Sequence, residues 1–142
     1  MRQVYGSIDR KCRTIEQSFK AIYIENIMRP LFHPSIEDVP LGAILHALSD
    51  PVRVAIFTEI ASAACAQTCS AFSSVNDRVI PKSSLSQHFK VLREAGLIHS
   101  ERQGVEMRNT PRCAEVDKRF PGLIAAIISA HAIEAKHRAI VG

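Results

Sequence analysis

The chain has 142 residues, a formal charge of +4 and a pI near 9.1. That length suits one domain with a modest core, and an apolar share of 46% excludes a disordered tail. No apolar run approaches membrane-spanning length, and the N-terminus lacks the compact apolar core of a signal peptide. The four cysteines are therefore expected as reduced thiols in a cytoplasm, not as a disulfide scaffold.

Residues 1–27 differ from the rest. Arg2, Arg10, Lys11, Arg13 and Lys20 make the segment basic, while Ile15, Phe19, Ile22 and Tyr23 recur at helical spacing. Two readings stand together: a basic amphipathic helix, or a dispensable extension ahead of a compact start at Met28 and its proline-rich linker. The division expected is an extension over 1–27, a central domain over 28–115 and a terminal helix over 116–142.

Leu41, Ile44, Leu45 and Leu48 predict a first helix; Val52, Ile56, Phe57 and Ile60 predict a second. Between them Ser49 or Asp50 can cap, and Pro51 at a first helical position loses no hydrogen bond. The Ala-, Ser- and Cys-rich stretch from Ala61 to Asp77 has weak periodicity. It is read as a helix end, a turn and a short helix around Cys69 to Ser73.

The segment from about Pro81 to Ala95 carries the strongest pattern. Leu85, Phe89 and Leu92 share one helical face. The other face holds Ser83, Ser86, Gln87 and Lys90, flanked by Lys82 and Arg93. Short hydrogen-bonding groups rimmed by cations suit a surface that reads base edges while its border meets phosphates. Gly96 supplies a left-handed C-cap. Leu97 to Thr110 then predicts a hairpin turning at Gln103-Gly104, with Arg102 and Arg108 placed to reach a minor groove or its phosphates. From Lys82 to Arg112 there are six Lys/Arg against three Glu, so part of the positive excess lies in this unit. Pro111 ends it. Phe120, Leu123, Ile124, Ile127, Ile128 and His131 mark the stripe of a long terminal helix with Pro121 in its first turn.

The runs "HALSDPVRVAIF" and "KSSLSQHFKVLREAGLIHSERQG" resemble the ArsR family of bacterial transcriptional repressors, over roughly Leu41 to Thr110. The resemblance implies a mainly α (α+β) winged helix-turn-helix with a two-stranded β-wing and terminal dimerisation helices. It also implies a cytoplasmic homodimeric repressor that leaves double-stranded operator DNA when an inducer or oxidant acts. The family's recognition positions fall on Lys82, Ser83, Ser84, Ser86, Gln87 and His88, and its wing on Arg102, Gln103, Gly104 and Arg108. Many metal-sensing members carry a Cys-x-Cys pair before the recognition helix; this chain has none.

Cys65 and Cys69 are the other candidate site. Four residues apart, they would share a helical face with Cβ atoms about 6 Å apart, too far for an unstrained disulfide. Two thiolates so placed can converge on a soft metal or metalloid ion, with Cys12 or Cys113 as a third ligand, or one thiol can be oxidised singly. The plainer alternative is that both simply pack. His131, Glu134 and His137 cannot all face one ion from a single helix, because His131 and His137 point about 240° apart. Catalysis has little support: the chain lacks a phosphate-binding glycine loop, a nucleophile elbow and a His-Glu-x-x-His motif. The alternatives to DNA binding are a winged helix that docks protein and, behind it, a small thiol enzyme.

Overall fold

The computed structural model describes residues 31–75 and 77–142. The helix expected within 1–27, with Cys12, lies outside the described residues. Helix α1 (Leu41–Ala47) and helix α2 (Pro51–Ser62) meet at a bend of 102°. Both sides of that corner are capped by side chains. Asp50 accepts from the backbone N–H groups of Val52 (2.7 Å) and Arg53 (3.2 Å), satisfying the first turn of α2. Arg53 reaches back to donate to the carbonyls of Ala47 (2.6 Å) and His46 (3.1 Å), satisfying the end of α1. Of the two candidate caps, Asp50 performs the role, and Ser49 Oγ donates to His46 O instead.

In the segment that follows, the short helix expected around Cys69 to Ser73 is present as a single 3-10 turn (Cys69–Phe72), flanked by elements the sequence did not announce: a two-residue strand β1 (Gln67–Thr68) and a small hairpin of β2 (Ser74–Val75) and β3 (Arg78–Val79). Cys65 precedes β1 in irregular chain, so Cys65 and Cys69 do not share a helical face. Weak apolar periodicity allows this, because only Phe72 anchors the turn, buried edge-on against Phe89 with ring centroids 5.6 Å apart.

Helix α3 (Lys82–Glu94) buries Leu85, Phe89 and Leu92, as its spacing requires. It ends in a Schellman motif: Leu97 N–H donates to Leu92 O (3.1 Å) and Gly96 N–H to Arg93 O (3.0 Å), with Gly96 at φ 74°. A Cβ at Gly96 would stand 2.7 Å from Val39 Cγ2, so glycine serves both the conformation and the packing. Strands β4 (Ile98–Gln103) and β5 (Glu106–Pro111) form the expected hairpin, turning at Gly104 with φ 65°. β1 adds a third strand beside β5, pairing Gln67 with Asn109 and Thr68 with Arg108.

The expected long terminal helix is present but starts at Leu123, not at Phe120–Pro121, and a separate short helix precedes it. Helix α4 (Cys113–Arg119) stops at Phe120, Pro121 lies between helices, and Gly122 at φ 79° starts helix α5 (Leu123–Val141). Val116 and Ile124 enter the common core with Ile44, Ile56, Phe57 and Leu97, while Leu123 and Ile128 pack against it. Beyond Ile128 the helix projects with Ile133 69%, Ile140 83% and Val141 73% exposed.

Candidate nucleic-acid interface

Helix α3 presents Ser83, Ser86, Gln87 and Lys90 to solvent along one face, with Lys82 and Ser84 exposed at its start. Lys90 lies 3.9 Å from Glu94, an exposed pair holding well under about 1 kcal/mol, so its ammonium is available to a stronger anion. His88 does not share this face. At about 100° per residue it stands about 150° from the middle of the Ser83–Lys90 face. It is half-buried, and its Nδ1 is enclosed without a hydrogen-bond partner among the described residues.

The wing separates its two arginines. Residues directly opposite in an antiparallel pair share a face. Arg102 is opposite Met107, and Arg108 is opposite Glu101, so the arginines lie on opposite sides of the hairpin. Arg102 is exposed on the side that continues from buried Ile98 and Ser100, beside α3, whereas Arg108 is half-buried on the other. Val105 at the tip is 77% exposed.

Behind the wing lies a polar chain that no periodicity announces. Ser100 N–H donates to His33 Nε2 (2.9 Å), and the His33 and His99 rings stack at 4.2 Å. Ser100 Oγ donates to Asn109 Oδ1 (2.7 Å). The Asn109 amide, wholly buried, donates to Gln67 O (3.1 Å) and to Cys69 Sγ (3.4 Å). Arg112 completes the attachment of the Leu31–Ser35 stretch by donating to Pro34 O (2.9 Å) while pairing with Glu115.

Burial pushes the Cys69 thiol up, against the Asn109 hydrogen bond and the positive charge of Arg93. Cys113 is raised as well, again by burial. Cys65 is exposed, with Gln67 Nε2 3.8 Å from its sulfur. Among the described residues no three His, Cys, Asp or Glu side chains gather to hold a metal ion. The donors therefore do not fit a soft ion held by Cys65, Cys69 and Cys113. On α5, Glu134 pairs with Arg138 at 3.7 Å. Among the described residues no single helix is long and apolar enough to cross a membrane.

A capped helical corner, an exposed polar helix and a three-stranded wing define a winged helix-turn-helix. Residues 48–101 match a family model described as a helix-turn-helix domain. The chain is similar to the HTH-type transcriptional repressor SmtB of two Mycobacterium tuberculosis strains, CDC 1551 / Oshkosh and ATCC 25618 / H37Rv. Each is 36% identical over 66 residues, which is 46% of this chain and 46% of the relative. The chain thus spans about half the length of these relatives. A solved ArsR-like transcriptional regulator from Rhodococcus sp. RHA1 aligns at 26% identity and a TM-score of 0.46, over 71% of this chain and 87% of that one. The chain thus carries a helix-turn-helix domain over residues 48–101 and is similar over part of its length to these named repressors.

Proposed function

We propose that this protein is a sequence-specific DNA-binding transcriptional regulator, acting as a cytoplasmic homodimeric repressor without catalytic activity. One observation carries the reading: Ser83, Ser86, Gln87 and Lys90 form an exposed polar face on a helix whose other side is core. Gln87 is the residue type that bonds adenine in two places, the serines reach either base or phosphate, and Lys82, Lys90 and Arg102 meet the backbone. The named repressors among its relatives support the direction of regulation.

Dimerisation is assigned to α5 with α1, since Leu41 and Leu45 on α1 and Ile133 and Ile140 on α5 are apolar and exposed. The corresponding division is a reading head within 28–115 and a dimer helix within 116–142. Among the three described cysteines, Cys69 is the proposed sensing residue, because its sulfur is bonded to the middle of the wing through Asn109. Cys65, exposed and outside that chain, is at most its companion.

The test is enrichment of duplexes from a randomised pool, followed by a salt titration of the winner. A two-fold sequence whose binding weakens steeply with salt is expected. Failure to enrich any sequence would refute specific recognition, and salt-independent binding would point to a protein-docking winged helix.

A further inference from the structure

Between α3 and the wing lies a cleft of about 450 Å³, walled by Lys82, Ser86, Phe89 and Arg93 on one side and Arg102 and Met107 on the other. The four α3 residues recur at i, i+4, i+7 and i+11, so they form one stripe along the helix. That stripe sits about 80° around the helix from the Ser83–Lys90 face and between it and the core. The cleft is thus beside the proposed base-reading surface. Cys69 and Leu31 also line the cleft.

The charges are unbalanced. Three cations line the space against one carboxylate, Glu106, and the lysine and two arginines form no ion pair among the described residues. Arg93 is half-buried, and its Nε is enclosed with no hydrogen-bond partner among the described residues. A partly desolvated guanidinium lacking an acceptor favours a bound anion. The apolar part of the wall comes from Phe89, Met107, Val105 and Leu31, and the hydroxyls of Thr68, Ser70 and Ser86 also line the space. The volume falls within the roughly 300–1,000 Å³ of small-molecule sites, which pair an apolar body with a few orienting polar groups.

We propose that this cleft binds a small amphipathic organic anion, one carboxylate or sulfonate on a compact aromatic or aliphatic body. The anionic head lies at Arg93 with Lys82 or Arg102, and the body lies on Phe89 and Met107. A ligand there wedges the wing away from α3 and occupies cations that phosphates would otherwise meet. Ligand and DNA therefore exclude one another; this second step rests on the DNA-binding reading above.

Cys69, which lines the cleft, supplies the readout. Alkylation by iodoacetamide is followed by mass spectrometry on the full chain, with exposed Cys65 as internal reference, using 1-naphthoate and its neutral analogue 1-naphthamide as probes. With 1-naphthoate at tenfold its dissociation constant, Cys69 alkylation should slow by about tenfold while Cys65 is unchanged. The amide should protect little, and Arg93→Gln should abolish protection by the carboxylate. Absence of protection, equal protection by the amide, or full protection retained in Arg93→Gln would overturn the site. In a separate arm, naphthoate should weaken binding of the enriched duplex by the factor that the duplex weakens naphthoate. Protection of Cys69 without competition would leave the ligand site standing and overturn the exclusion. If no duplex binds, the DNA reading fails, and the alkylation arm alone decides the site.

Discussion

The side-chain amide of Asn109 donates to the sulfur of Cys69 at 3.4 Å, joining the middle of strand β5 to the 3-10 turn ahead of α3. Asn109 is wholly buried and is also bonded to Ser100 Oγ and Gln67 O. A change in volume or charge at Cys69 is thus felt by both halves of the proposed reading head.

Asn109→Leu keeps the approximate volume and removes these bonds. It leaves the Ser100 hydroxyl and the Gln67 carbonyl without their partner in a closed site. A loss of about 1–3 kcal/mol is expected in urea unfolding. An unchanged midpoint would mean that the network contributes nothing to holding β1 and the 3-10 turn on the wing.

The cysteines should differ in reactivity. Burial raises the Cys69 and Cys113 thiols, so both are largely protonated at neutral pH, whereas Cys65 is exposed. Iodoacetamide at pH 7 should modify Cys65 first, and the Cys69 rate should keep climbing as pH rises past the ordinary thiol range. Faster modification of Cys69 than of Cys65 at pH 7 would show an activated thiolate instead.

His33 couples the Leu31–Ser35 stretch to acidity. Burial lowers its pKa, helped by the charges of His99, Arg93 and Arg112, and opposed by a hydrogen bond at Leu31. Its Nε2 accepts the Ser100 N–H, which only an unprotonated nitrogen can do. The folded state therefore binds fewer protons at this ring than the unfolded state. The stabilisation is complete above the ordinary value of 6.5 and is lost as pH falls through the lowered folded value. Proton NMR of the His33 ring should give a midpoint below 6.5; one at or above it would show that the nitrogen is not held as an acceptor.

Ile133, 69% exposed in the single chain, is the residue by which to test association. Ile133→Asp should leave the folding of one chain nearly unchanged, since the side chain is already in water. In a dimer built on α5 it would bury an unpaired carboxylate, and sedimentation should show monomer at micromolar concentrations where the parent protein is dimeric. A dimer unaffected by the substitution would place the interface elsewhere.

The parts legible in the sequence are those with local rules. Asp50 and Pro51 mark a helix start, Leu85, Phe89 and Leu92 mark a buried face, and Gly96 and Gly104 mark positive-φ turns. The Cys69–Phe72 turn reads as a short helix without its type, because one anchor, Phe72, does not distinguish a 3-10 turn from a short α-helix. β1 is two residues long and exists through its pairing with Gln67 opposite Asn109, a contact between distant positions that no local pattern encodes. Pro121 followed by Gly122 is punctuation that starts α5 at Leu123, whereas the spacing of Phe120 with Leu123 and Ile124 draws the helix start back to Phe120; α4 buries only Val116 and has no stripe to announce it. The cleft was half visible. Lys82, Ser86, Phe89 and Arg93 share a stripe by spacing alone, but which surface faced it depended on the wing.

Base reading by α3 is tested by the affinity of Gln87→Ala for the enriched duplex and for every single-base variant of one half-site. A loss of about 1–3 kcal/mol on the preferred sequence and a relaxed preference at one base position are expected, with the other positions discriminated as before. Unchanged affinity and an unchanged preference at every position would contradict it.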